Sequence, residues 1–270
     1  MLLLSLAGGC HQGEEPSFRV SRARAEDRAG AVASPQRAAE PTPTAPREAQ
    51  VVPVQAPVEA APSVAQGEVD PRLLAPGRAT ERAPAVFVAE LETTEGTVHI
   101  EVHRAWSPNG ADRFYNMVRL GYFQDVAFFR VIAGFMGQAG IHGDPRVATA
   151  WRDANIPDDP VVQHNTRGMV TFAMSGVPNS RSNQFFINFG DNSRLDGMGF
   201  APFGRVREAD MAIVDRLHAG YGEGAPNGRG PEQGRVQREG NAYLRAQFPA
   251  LDYIRSARVA PAAQREAQRP

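Results

Sequence analysis

Lysine is absent from the 270-residue chain, and all 29 basic residues are Arg. That pattern reads as the codon bias of a GC-rich genome, not as chemistry. Cysteine is almost as scarce: with Cys10 alone, disulfide frameworks and cysteine-based zinc sites are arithmetically impossible. No apolar run approaches the roughly 20 residues that a membrane-spanning helix needs. An excess of one charge is missing too. A formal net charge of −1, with no basic run longer than a few residues, provides no electrostatic footprint for nucleic acid, so nucleic-acid binding is disfavoured. Aromatics are the last absence, and a local one. Between residues 11 and 84 only Phe18 is aromatic, against 11 prolines and 16 alanines, so this stretch cannot bury enough apolar surface to offset the entropy of ordering. Residues 11–84 therefore read as a disordered tether, kept extended by its prolines.

What precedes the tether looks like an address. Residues 1–10 form a short apolar run ending in Leu6-Ala7-Gly8-Gly9-Cys10, which resembles the bacterial lipobox, where cleavage before the cysteine is followed by lipidation of its sulfur. The run is short for a signal and has no basic residue ahead of it, so this reading requires a start upstream of Met1. The alternative is a frayed apolar terminus. The lipobox reading predicts a lipid-anchored protein at the bacterial cell envelope, facing the periplasm, whose only contact with membrane is the lipid on Cys10.

From Val86 the pattern changes. Val98, Ile100 and Val102 alternate with polar residues, and Thr94-Glu95-Gly96 offers a turn before them, so a hairpin opens the domain. Residues 111–120 switch to helical spacing, with Pro108 ahead and Gly121 at the C′ position. Short runs at 128–132, 168–174 and 184–188 read as strands, 208–217 as a second amphipathic helix, and 251–259 as a late strand after a Gly/Pro-rich loop. Many short strands with two separated helices predict a mainly β fold, a closed antiparallel barrel with plugged ends, over residues 85–260, followed by a flexible tail at 261–270.

Several chemistries can be set aside. His99 and His103 fall on the predicted hairpin strand, where side chains four residues apart are ~13 Å from each other, too far to share one metal ion. Gly220-Tyr-Gly-Glu-Gly-Ala225 fits a loose dinucleotide fingerprint, but it follows a helix and runs into Pro226, so it reads as a surface loop. Asp158-Asp159, flanked by prolines, is turn chemistry. Ser175, Ser180 and Ser182 lack a nucleophile elbow.

Two segments remain that combine large apolar residues with isolated polar groups in strand context: Phe128 to Gly140, and Gly168 to Ile187. On a strand, Phe128, Arg130 and Ile132 share a face, and a cation among apolar side chains is expensive unless it is paired or functional. These segments resemble the cyclophilin family of peptidyl-prolyl cis–trans isomerases. The match runs through Arg130, Phe135, Met136, Gln138, Ala173, Gln184, Phe186, Leu195, Asp196, Phe203 and Gly204, in the family's order and near its spacing.

The resemblance implies a closed eight-stranded antiparallel β-barrel capped by two α-helices. It also implies a monomer that acts on proline-containing polypeptides with no metal or cofactor. Arg130, Phe135 and Gln138 take the catalytic positions, with Arg130 beside the proline nitrogen and Gln138 on a substrate carbonyl. Met136, Ala173, Met174, Gln184, Phe186, Leu195 and Phe200 take the substrate-binding ones, with the backbone at Met174 pairing with the peptide. The sequence departs from the family in four places. Phe129 stands where a His is usual, Phe200 replaces a pocket-wall His or Tyr, Arg194 replaces a Trp, and Val177 is an extra residue before Pro178. The Trp matters for cyclosporin, the cyclic peptide that many members bind in this groove. A non-catalytic module that holds proline-containing partners in the same groove is the alternative function.

Overall fold

A computed structural model describes residues 68–261. Cys10, residues 11–67 of the expected tether and residues 262–270 of the expected tail lie outside them. The domain starts earlier than its composition suggests. Residues 68–84, read above as tether, fold into two short 3-10 turns, Pro71–Leu74 and Pro76–Arg78, that end against the domain. Leu73 and Ala83 are buried. Asn116 of the first helix accepts from the Glu81 amide at 3.0 Å and donates to the Glu81 carbonyl at 2.7 Å, and Asp112 accepts from the Ala83 amide at 2.9 Å. A few aliphatic contacts and satisfied backbone groups order this stretch, which has no aromatic of its own.

The hairpin forms as the alternation requires. Strand β1 (Val86–Thr93) pairs with β2 (Thr97–His103), which buries Val98, Ile100 and Val102 and leaves His99, Glu101 and His103 half-buried. His99 then meets Asp210 and His103 meets Glu101, so the two imidazoles have separate partners. Helix α1 (Pro108–Arg119) packs Ala111, Phe114, Met117 and Val118 inward, and Gly121 (φ 70°) ends it in the left-handed conformation that glycine tolerates.

The remaining strands are β3 (Val126–Ala127), β4 (Arg130–Ile132), β5 (Met136–Ala139), β6 (Met169–Phe172), β7 (Phe185–Asn188), β8 (Pro202–Val206) and β9 (Tyr253–Val259). They form one antiparallel sheet in the order β3-β9-β1-β2-β8-β6-β7-β5-β4. This corrects the closed eight-stranded barrel: the described residues form nine strands, and the ladder is open. The strand expected at 128–132 is shorter than that, because Phe128 and Phe129 lie outside the ladder, between the edge strand β3 that ends at Ala127 and the edge strand β4 that begins at Arg130. Edges separated by two residues of chain force the sheet to curl back on itself. Phe128 enters the main core, where Phe114, Phe185 and Phe203 meet ring to ring, while Phe129 points into a second core.

That second core is built by helices the sequence pattern did not announce. Besides α1, the described residues contain α2 (Pro145–Arg152), the short α3 (Met211–Val214) within the expected 208–217 helix, and α4 (Gln233–Gln247). Two capping helices are thus corrected to four α-helical segments among the described residues. α4 bends at Gly240 (φ 59°, ψ −145°), where a Cβ would sit 2.1 Å from the Gly143 carbonyl oxygen, and only glycine fits there. Its Val236, Tyr243 and Leu244 close over Phe129, Ile141 and Ala148.

Candidate active site

Register brings the polar residues together. Arg130 on β4 lies opposite Gln138 on β5, and Gln138 lies opposite Phe186 on β7. Directly opposed antiparallel residues share a face, as do residues two apart, so Arg130, Gln138, Phe186, Ile132 and Met136 project from one side. Their neighbours Val131 and Ile187 project from the other side, into the main core.

Of the residues expected at the site, Arg130, Phe135, Met136, Gln138 and Phe186 line one cleft of about 430 Å³, and Ala173, Met174, Leu195 and Phe200 complete that set. Gln184 is the exception. It stands behind Gln138, accepting from Gln138 Nε2 at 2.9 Å, so its place is in the support of the site and not in its lining. That bond fixes the Gln138 amide with its Oε1 towards Arg130, whose Nη1 donates to it at 2.9 Å. Gln138 spends its oxygen on the guanidinium and keeps one Nε2 hydrogen, the kind of donor that the expected contact with a substrate carbonyl would need.

The apolar wall is a small cluster of its own. Met136, Phe186 and Leu195 are buried, with Phe135, Ala173 and Phe200 half-buried against them, and the Phe186 and Phe200 rings meet edge to face at 5.8 Å. Phe135 stands in the β4–β5 turn, where Asn192 Nδ2 and the Phe189 amide both donate to its carbonyl. Buried asparagines extend this support. Asn192 donates to Asn188 Oδ1 at 2.8 Å, and Asn165 donates to the Phe200 carbonyl and to Asp196 Oδ1, each at 2.8 Å. Burial works against the Asp196 charge, yet hydrogen bonds from Asn165 and His164 hold its carboxyl below the usual range. Every polar group behind the wall thus has a partner, which keeps the wall rigid.

The other wall comes from the Gly/Pro-rich loop dismissed above as surface. Glu223, Gly224, Ala225, Asn227 and Pro231 all face the cleft. Glu223 forms a two-point ion pair with Arg130, accepting from Nε at 2.6 Å and from Nη2 at 2.7 Å, and the Arg130 hydrogen bond holds its carboxyl below the usual range. No local signal marks this residue, since its partner is 93 positions away. Asp159 is structural, as the turn reading implied. It accepts from the Asn109 and Gly110 amides at the start of α1 and pairs with the buried Arg181 at 3.1 Å.

The lining contains no Ser, Thr, Cys or His. Its one carboxylate, Glu223, is held by Arg130, so the cleft offers apolar surface with an oriented guanidinium at its edge. A family model described as "Cyclophilin type peptidyl-prolyl cis-trans isomerase/CLD" matches residues 88–237, and the chain belongs to that family. Among curated relatives, "Peptidyl-prolyl cis-trans isomerase-like 1" of Rhizopus delemar is 35% identical over 130 residues, covering 47% of this chain and 77% of that protein. "Peptidyl-prolyl cis-trans isomerase" of Acinetobacter baylyi is 33% identical over 141 residues, covering 50% of this chain and 73% of that one. A solved cyclophilin-type isomerase of Cryptosporidium parvum aligns with TM-score 0.46 at 17% identity, over 65% of this chain and 98% of that chain.

Proposed function

We propose that this chain accelerates X–Pro isomerisation in polypeptides outside the cytoplasm, as a monomer anchored through lipid on Cys10 to the bacterial cell envelope and facing the periplasm. The observation that carries the catalytic reading is Arg130 at the edge of the apolar cleft, its guanidinium carbon 6.0 Å from the centre of the Phe135 ring. Rotation about an X–Pro bond must break amide resonance, a barrier of ~18–20 kcal/mol. As the bond twists, the proline nitrogen becomes pyramidal and gains a lone pair. A guanidinium N–H directed at that nitrogen stabilises the twisted state and gains little from either planar form, which is the differential binding that catalysis requires. Of the five Arg130 N–H groups, three go to Glu223 and Gln138 and a fourth, on Nη1, makes a weak contact with Met136 Sδ at 3.9 Å, leaving one on Nη2 for a ligand. Phe135, Met136, Phe186 and Leu195 would hold the ring. A 10⁶-fold acceleration asks for ~8 kcal/mol, within reach of a charge-assisted hydrogen bond combined with positioning in a partly dry cleft.

The test is magnetisation exchange on an Ala-Pro peptide with the full chain. Arg130→Ala should lower the exchange rate by orders of magnitude with little change in peptide affinity, and Arg130→Lys should rescue poorly because an ammonium lacks the planar fork. Peptide binding by the native chain without exchange would favour the non-catalytic module instead. For the location, the lipobox-like residues and the proline-rich composition of 11–67 support an anchored spacer. Cys10→Ser should move the protein from the membrane to the soluble envelope fraction in its own host. A native protein already wholly soluble with Met1 retained would reject the anchor.

A further inference from the structure

Glu223 is held far more firmly than a surface carboxylate needs to be. The Gly222 backbone bridges to Val131, which pins the loop beside β4, one residue from Arg130. The loop then folds around Glu223: the Gly230 amide donates to its carbonyl at 2.8 Å, and the Gly224 amide donates to its Oε1 at 2.9 Å. Glycines permit this closeness. A Cβ at Gly224 would lie 2.6 Å from the Pro231 carbonyl oxygen, and one at Gly228 2.2 Å from the Glu223 carbonyl oxygen. Backbone, carboxylate and guanidinium therefore form one rigid unit.

We propose that Glu223 is a positioning residue for the isomerase reaction, clamping the Arg130 guanidinium plane so that its remaining N–H points at the twisted amide nitrogen. The inference rests on the isomerase reading of this cleft. An arginine side chain has four rotatable bonds, and a single hydrogen bond to Gln138 would leave the guanidinium free to turn about it. A carboxylate that engages Nε and Nη2 together fixes the plane, because two parallel hydrogen bonds define it. Glu223 and Gln138 grip different edges of the same planar group, and Nη1 also touches Met136 Sδ at 3.9 Å, so the remaining N–H on Nη2 has a set direction before substrate arrives. Such preorganisation lowers the activation barrier without strengthening ground-state binding. The carboxylate also offsets the guanidinium charge, so the opposite effect, a brake on the site, is a definite alternative outcome.

The test uses the full chain and an Ala-Pro peptide. Glu223→Gln keeps the shape, removes the charge and breaks the two-point contact. Turnover should fall about 10- to 100-fold, the penalty typical of a misplaced reacting group, while KM stays unchanged. The Arg130 Nε–H resonance should be shifted and protected from exchange in the native protein and should lose both properties in the variant. In an Arg130→Ala background, Glu223→Gln should change nothing further, whereas a merely structural role would add its own loss. Native or raised turnover in Glu223→Gln overturns the proposal, as does a full additional loss in the double variant. If the native chain fails to isomerise the peptide, the catalytic reading fails first, and the Nε–H signal alone then reports whether the clamp exists.

Discussion

The indole Nε1–H of Trp151, on α2, donates to the carbonyl of Leu73 at 2.7 Å, so a residue from the expected tether closes a hydrogen bond inside the domain. Trp151 is fully buried and its ring packs against Tyr122, leaving the indole no access to water. The Leu73 side chain joins the main core at the same place.

A chain trimmed to begin at residue 85 should therefore fold less stably than one that begins at 68. Leaving a buried donor unpaired costs about 1–3 kcal/mol, and emptying a buried leucine site about 2–5 kcal/mol. Urea unfolding of the two lengths measures the difference, and Leu73→Ala in the longer chain isolates the side chain. Coincident unfolding curves would show that residues 68–84 merely rest on the surface.

Arg181 is the charged residue most deeply enclosed in the domain, at 1% exposure. It reaches Asp159, Asp158, Ser107 Oγ and the Pro157 carbonyl, and Asp159 in turn caps α1. Arg181→Met removes one partner of a buried pair and strands the other, so a loss of about 3–5 kcal/mol is expected. Combining it with Asp159→Asn should recover part of that loss, since the second change removes the stranded charge. A loss below about 1 kcal/mol, the range of exposed pairs, would mean that water reaches the cluster.

Mild acid should destabilise the domain through His142. Burial pushes its imidazole below the usual histidine range, against the opposing pull of the Asp144 carboxylate. Its Nδ1 accepts the Asp144 amide at 2.9 Å, which a protonated nitrogen cannot do. The folded state holds the neutral form while the unfolded chain takes up a proton near pH 6.5, the ordinary value. This contribution is complete above that pH and is lost as pH falls from there through the lowered folded value. The depressed carboxyls of Glu223, Asp144 and Asp196 act in a lower window, with stability lost as pH falls from their ordinary values of 3.8–4.5 through the folded ones. Thermal melts from pH 7 to 5 should thus decline for the native chain and stay nearly flat for His142→Gln. Parallel declines would assign the effect to another group.

The part of the site that was legible in sequence is the part written in strands. Arg130, Gln138 and Phe186 sit one to a strand, in segments whose residue order alone suffices for recognition, and the ladder register does the rest. Glu223 was hidden because an ion pair closed over a long loop leaves no periodicity, and its glycines read as surface punctuation. Helix α4 was hidden for a related reason: Gly234 and Gly240 interrupt its pattern, although Gly240 is what lets it bend over Gly143. Phe129 joins the two cases. As a departure from the family it had no explanation, but α4 supplies an apolar layer over it, most of which lies beyond the matched residues. A histidine there would face mainly apolar surface, the Val236 and Leu244 side chains and the Tyr243 ring.

Arg194 is the departure with the clearest consequence for ligands. Its guanidinium lies 4.7 Å from the centre of the Phe135 ring and its Nη1 donates to Asn192 Oδ1 at 3.3 Å, so it stacks beside the proposed proline pocket while facing solvent. Relatives with a Trp here offer cyclosporin a flat apolar wall and an indole N–H, an anchor of the kind that typically costs 2 kcal/mol or more to lose at an interface, by about the measure of alanine scans. A methyl-rich neutral ligand would have to desolvate the Arg194 head and take it off the Phe135 face, and both steps are unfavourable. Inhibition by cyclosporin should therefore be at least ~30-fold weaker than for a Trp-bearing relative. Arg194→Trp should recover part of it, because an indole can stack on Phe135 and restore the wall. Recovery should stay incomplete while Phe200 forms the other side. Titrating isomerase activity of both proteins with the drug decides the matter: tight inhibition of the native chain, or no gain in the variant, would remove Arg194 from control of the groove.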